Sequence, residues 1–296
     1  MKMKLSKEQL YFRDLTDKFN AELYYLSDEE IKKILLLEKK DRDILLNKIG
    51  RILLDNNIDE DYLNLSSKDK RNTKRELDNL INSTFNEEIK YTRNSIKKIL
   101  FQVGIDKFYS NTFLMSLGIN FTLKKISNEE IYKIIDSKIE GKNYSDRLWT
   151  NKNKVAKELK IELKNFIDGK TTKNDIEKII KKKFNQNAYN TKRLVETETS
   201  KVLEGANEVW AEKHDIKHVM YSATLDFKTC KDCGGHDGEV YSVDNKPFKL
   251  PRHPKCRCSY ISLPSKDWKP HKRINNETKE IIDYKSYKEW KNQQDL

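Results

Sequence analysis

Apolar residues recur at helical spacing through the first 140 positions. Ile34, Leu37, Ile44, Leu45, Ile49 and Leu53 follow one such track, and Leu77, Leu80, Ile81, Ile89, Ile96, Ile99 and Leu100 follow another. Charged residues and asparagines fill the faces between them, and no proline interrupts the stretch. Two places carry the pattern of a helix start. Ser27 precedes Glu30 by three residues, with Leu26 and Ile31 alongside, and Ser127, Glu130, Ile126 and Ile131 repeat the device. In such a capping box the serine accepts from the amide three residues on, while the glutamate reaches back to the serine amide. Residues 1–140 therefore read as a helical N-terminal region.

A polar segment from Glu140 through Tyr144 and Arg147 to Trp149 breaks the pattern and places a boundary near 140. Val155, Leu159, Leu163 and Phe166 then mark one amphipathic helix, stopped near Gly169. Thr172–Asp175 resembles a further start, followed by Ile176, Ile179, Ile180 and Phe184. A third helix is expected from about Tyr189 to His214, with Val195, Val202, Ala206 and Val209 inward. The texture changes at residues 218–223, 239–243 and 258–263. These runs are rich in β-branched and aromatic residues and read as short strands. Glycines and the prolines between Pro247 and Pro264 punctuate them. The fold class is thus α+β, with three regions: helical 1–140, three helices and a small antiparallel sheet over 141–264, and a charged, peripheral tail over 265–296.

Charge narrows the partners only in part. The 296 residues carry a net charge of +12, which suits a polyanion, nucleic acid first, or an acidic protein surface. A lysine- and asparagine-rich coding bias gives the same number from solvated helix faces. Lys181, Lys182 and Lys183 are the best single candidate for phosphate contact, although cations also suit a helix end. No run approaches the roughly 20 apolar residues of a spanning helix. The N-terminus lacks the apolar core of a secretory signal. The expectation is a protein made in the cytoplasm and not held in a membrane.

All four cysteines fall in one window: Cys230-Lys-Asp-Cys233, then His253-Pro-Lys-Cys256-Arg-Cys258. Two close pairs of soft donors joined by a loop match a tetrahedral zinc site. Four ligands are needed and five candidates exist: Cys230 and Cys233 with two of His253, Cys256 and Cys258. His236 is a weaker sixth. A closed site of this kind ties strands together and does no chemistry. The catalytic alternative is a metal-dependent hydrolase or nuclease using Asp226, Asp237 and His253, with Glu239 as another candidate base; a zinc-ribbon nucleic-acid-binding protein is another reading, and a disulfide between two cysteines a third state of the cluster. No competent active site is recognised, so neither enzyme activity nor a small-molecule substrate is expected. Arg193, Thr197 and Glu198 share one helix and are read as structural polar residues. Trp149, Trp210 and Tyr221 are read as core or cover for the sheet.

The stretch from Tyr221-Ser-Ala through Asp226, Thr229-Cys230, Cys233 and Asp237-Gly238, followed by His253-Pro-Lys-Cys256-Arg-Cys258, resembles the phage Mu F-like minor head proteins, or head morphogenesis proteins. Arg193 and Thr197-Glu198 resemble that family's helix, and Gly141–Trp149 the opening of its shared region; the likeness covers about residues 141–263. The chain departs at Glu196, where many relatives carry Arg. The resemblance implies a minor capsid component of a tailed phage or prophage, associated with the portal protein and aiding head assembly, DNA packaging or delivery. It places the chain in the virion, at the capsid interior or portal vertex, after assembly in the host cytoplasm. The helical N-terminal half would be the partner-facing part, with packaged DNA a second candidate contact.

Overall fold

The computed structural model describes residues 7–116, 122, 124–263 and 272–293; the side chains of 7–21 and 114–116 lie outside that description. Two helices dominate the first half: α1 (Lys7–Asp55) and α2 (Ser67–Ser116). A hairpin joins them, with β1 (Asn57–Asp59) paired antiparallel to β2 (Tyr62–Asn64). Ser27 is no helix start. It lies inside α1, where amides already find carbonyls four residues back. Its buried hydroxyl instead meets Thr199 Oγ1 at 3.2 Å.

The backbone divides into two units. A helical unit comprises Asp28–Lys97 and Lys138–Val195, and a mixed unit comprises Met1–Ser27, Lys98–Ser137 and Glu196–Leu296. Neither is contiguous in sequence, unlike the three regions expected above.

In the helical unit, α4 (Tyr144–Ile167) starts on a capping box of Asn143 and Asp146. The polar segment read as a boundary is thus a helix signal with Asn and Asp in place of Ser and Glu. The helix stops at Gly169, whose φ of +71° is the left-handed conformation glycine adopts without strain. Helix α5 (Lys173–Lys213) is one 41-residue helix and not the two expected. Its middle, Asn185 to Thr191, is polar enough to read as a break, yet Asn187 and Thr191 are buried and donate to Glu88 and Glu38. The apolar core is drawn from all four helices, including Leu45 and Ile49 of α1, Leu77 and Ile81 of α2, Leu159 and Leu163 of α4, and Ile176 and Ile180 of α5.

In the mixed unit, α3 (Asn128–Asp136) carries the Ser127–Glu130 capping box as expected. Strands β3 (His218–Ser222), β4 (Val240–Ser242) and β5 (Ser259–Leu263) form an antiparallel sheet in the order β4-β3-β5, confirming the α+β class. Val219 faces Tyr241, and Tyr221 faces Tyr260. Helix α5 grips β5 through Asn207, which donates to the Tyr260 carbonyl at 2.7 Å, and Glu204, which accepts from the Tyr260 amide at 3.1 Å. Residues 272–293 belong to this unit and are not peripheral. They form the hairpin β6 (Lys272–Ile274) and β7 (Ile281–Asp283) and helix α7 (Tyr287–Asn292), burying Arg273, Tyr287 and Trp290. Charged neighbours hide this anchoring in the sequence.

Two glycines test the packing in opposite directions. A Cβ at Gly205 would sit 2.4 Å from Ile134 Cγ2, and a Cβ at Gly50 would meet nothing within 4 Å. Chemical denaturation should show Gly205→Ala destabilised by about 1–3 kcal/mol. Gly50→Ala, within α1, should be stabilised by about 0.5–1 kcal/mol. Equal effects would contradict the tight α3–α5 approach.

Candidate metal centre

Two turns bring the soft donors together. The first belongs to α6 (Lys231–Gly235), a single short helix capped by Cys230. Cys230 Sγ accepts the Cys233 amide at 3.4 Å, so both sulfurs lie at the mouth of one turn. The second turn is His253–Cys256, closed by the Cys256 amide donating to the His253 carbonyl at 3.1 Å. Lys255 within it has φ +63°, a left-handed residue that bends the chain back sharply.

Donor atoms of Cys230, Cys233 and His253 lie within 4.8 Å of one another, as do those of Cys233, Cys256 and Cys258. Cys233 is common to both sets. His253 Nε2 lies 3.5 Å from both Cys230 Sγ and Cys233 Sγ. Bonds of about 2.3 Å to sulfur and about 2.05 Å to nitrogen, opened to a tetrahedral angle, separate the two atoms by about 3.6 Å. The spacing therefore fits donors that share an ion. The other ring nitrogen supports this. His253 Nδ1 donates to the Pro254 carbonyl at 3.0 Å, leaving Nε2 as the lone-pair donor facing the thiols. All four cysteines are free, and Cys233, Cys256 and Cys258 are buried. The five donors named from sequence are thus brought together, and they can hold a metal ion. His236 is not among them. It pairs with Glu239 at 2.9 Å and packs on Phe248.

The electrostatics favour a cation. Hydrogen bonds from Cys233 and Cys258 push Cys256 down to about 3, far below the ordinary thiol range. Hydrogen bonding with Cys233 and Cys256, then burial, pushes Cys258 up. Clustered thiols thus accept one negative charge readily and resist a second unless a cation arrives. Arg252 partly answers that charge. It stacks 3.8 Å from the Phe248 ring centre and pairs with Asp232 at 2.5 Å, next to Cys233. The Tyr221 hydroxyl lies buried among Cys233 and Cys258, with Arg252 beside it.

The motif acids brace the turns. Asp226 Oδ2 pairs with Arg257, between Cys256 and Cys258, at 2.5 Å. Its Oδ1 accepts from the Lys228 amide and the Thr229 hydroxyl just before Cys230. One carboxylate therefore joins both halves of the cluster. Asp237 accepts from Arg273 through both oxygens, at 2.6 and 3.1 Å, and from the Ala223 and Tyr287 amides, each at 2.7 Å. Neither acid joins His253 in a donor group among the described residues, so the three residues of the hydrolase reading do not converge.

The remaining sequence candidates lie elsewhere. Thr197 Oγ1 accepts the Lys255 amide at 3.0 Å, and Glu196 pairs with Lys255 Nζ at 3.7 Å, so α5 holds the histidine turn in place. Glu198 is buried against Lys201, which caps the Ile135 and Ser137 carbonyls. Arg193 is exposed on α5. Lys181 pairs with Glu177 and Lys183 with Glu158, while Lys182 is exposed. Trp210 and Tyr221 are buried as expected, but Trp149 is 61% exposed and is no core residue. Sequence reasoning missed Arg273 and Tyr287, which lie beyond the motif; an Arg one hairpin away from a buried Asp leaves no local signal.

Thr197→Val should weaken metal binding about tenfold in competition with a chromogenic chelator, the lower end of the effect of an outer support. Thr197→Ser should retain wild-type affinity. Equal binding by all three proteins would remove Thr197 from the support of the site.

Residues 154–261 match the family model described as phage Mu protein F like protein, a little over a third of the chain. No curated protein and no solved structure matches the chain. The match takes in most of α4, all of α5, β3 and β4, the first three residues of β5, and all five soft donors. The likeness read from the cysteine motifs is borne out over this stretch, which is similar to the phage Mu protein F-like family.

Proposed function

We propose that this protein is a minor component of a tailed-phage or prophage head that joins the portal vertex during assembly and aids DNA packaging or delivery. The family match over the region that holds the soft-donor cluster carries this reading. The cluster acts as a structural tie. Its donors are thiols and an imidazole, three of the thiols buried, with braces on both turns, a set suited to zinc closed on all sides. Zinc is the proposed ion, and elemental analysis should find about one per chain. Among the described residues, no helix is long and apolar enough to cross a membrane.

The proposed DNA contact lies on α5. From Lys178 to Val195 the chain carries six basic residues and no acid. Lys182, Lys192 and Arg193 are exposed there, beside exposed Tyr189. Phosphates attract such a face without regard to sequence. Within the lysine run, Lys181 pairs with Glu177 and Lys183 with Glu158.

Mass spectrometry of purified heads should detect the chain in far fewer copies than the shell protein, and heads lacking the portal should lose it. Heads without the chain, assembled in its presence, would refute the reading. For DNA, the triple change Lys182→Ala, Lys192→Ala and Arg193→Ala should lower duplex affinity and reduce the salt slope by about three, roughly one per cation removed. An unchanged slope would move the contact elsewhere.

A further inference from the structure

The helical unit buries charge at a level where all four of its helices contribute. Lys152 of α4 is fully buried, with Nζ 2.6 Å from Glu38 Oε1 of α1 and 2.6 Å from Glu88 Oε2 of α2. From α5, Thr191 donates to Glu38 Oε1 at 2.7 Å and Asn187 to Glu88 Oε2 at 3.1 Å. One oxygen of each glutamate thus receives two donors. The others, Glu38 Oε2 and Glu88 Oε1, are buried and receive none.

Asp41, three residues after Glu38 on α1 and half-buried, adds a third carboxyl group at this level of the unit. An ionised carboxylate only accepts, and each glutamate keeps one buried oxygen without a donor, where a bound proton is favoured over a bare charge. The charge count agrees. Three acids face one ammonium, and the α5 neighbours Asn187 and Thr191 are neutral. The remaining charges that act on Asp41, Glu87 and Lys40, oppose one another in sign. A metal ion does not answer the excess, because Lys152 holds the cation position and the three acids form no ligand group.

We infer that Glu88 and its neighbours Glu38 and Asp41 hold one bound proton between them in the folded helical unit, making this cluster a proton-binding site whose emptying loosens the four helices around Lys152. Burial, the first cause in each case, lifts Glu38, Asp41 and Glu88 above the usual carboxyl range, against the pull of Lys152. Above the ordinary carboxyl pKa the unfolded chain has lost this proton while the folded unit keeps it. Stability therefore falls as pH rises, by up to about tenfold in the unfolding equilibrium per pH unit for one proton, until the folded site also empties.

Glu88→Gln keeps the shape and supplies a fixed N–H where the proton lies. Thermal unfolding of the full metal-loaded chain, followed from pH 5 to pH 9, should show wild type losing stability relative to Glu88→Gln as pH rises. Comparing the two cancels titration elsewhere in the chain. The infrared difference between wild type and variant at pH 7 should also show the carbonyl stretch of a protonated carboxyl, the subtraction cancelling Glu204, which burial lifts to about 7. A stability difference that is constant across the range, or no such band in the difference spectrum, overturns the proposal. Should Glu88→Gln not fold, Asp41→Asn at its partly exposed position takes its place in both measurements, and the same two results would overturn the proposal.

Discussion

Cys233 holds the mixed unit's small sheet to its turns. It belongs to both sets of soft donors, one reaching back to Cys230 and His253 and the other to Cys256 and Cys258. Around it the apolar cluster is small: Val219, Tyr221, Leu250 and Tyr260 with the cysteines themselves. Strands of three to five residues bury too little to stand alone, so the sulfurs that could ligate a metal also serve as core. Thiolates gathered this closely repel one another without a cation, so a metal ion held there would both depend on the folded geometry and support it.

Every nearby polar residue can be read as a brace on that arrangement. Asp226 joins the loop before Cys230 to Arg257, Thr197 fixes the turn between His253 and Cys256, and Asp237 reaches across to Arg273 and α7. Acids near a metal motif suggest catalysis when only their spacing is known. Here their lone pairs are already committed to guanidinium and amide donors, which argues for a tie rather than a reaction centre.

The helical unit meets the opposite problem. It has apolar surface enough from four helices, yet places a lysine and two glutamates in its interior. A buried ionic cluster adds little net stability over an apolar core, but it penalises any register that leaves one of its charges alone. The cluster also accounts for the continuity of α5. Asn187 and Thr191 are polar because they face Glu88 and Glu38, not because the helix ends there.

Periodicity and spacing determined much by themselves. The helical character of the first half, the capping box at Ser127, the three strands and the gathering of five soft donors were all legible, because each rests on contacts within a few residues or on an invariant chemical need. Ser27 shows the limit: the same Ser-x-x-Glu pattern sits inside a helix when tertiary contact with Thr199 takes up its hydroxyl. Only the tertiary structure decided that α5 runs unbroken, that Trp149 faces solvent, that residues 272–293 are anchored by Arg273, Tyr287 and Trp290, and that Lys152 lies between two buried acids. Those outcomes depend on partners far away in the chain, and local sequence carries no record of which distant group will compensate a buried charge or cover an aromatic ring.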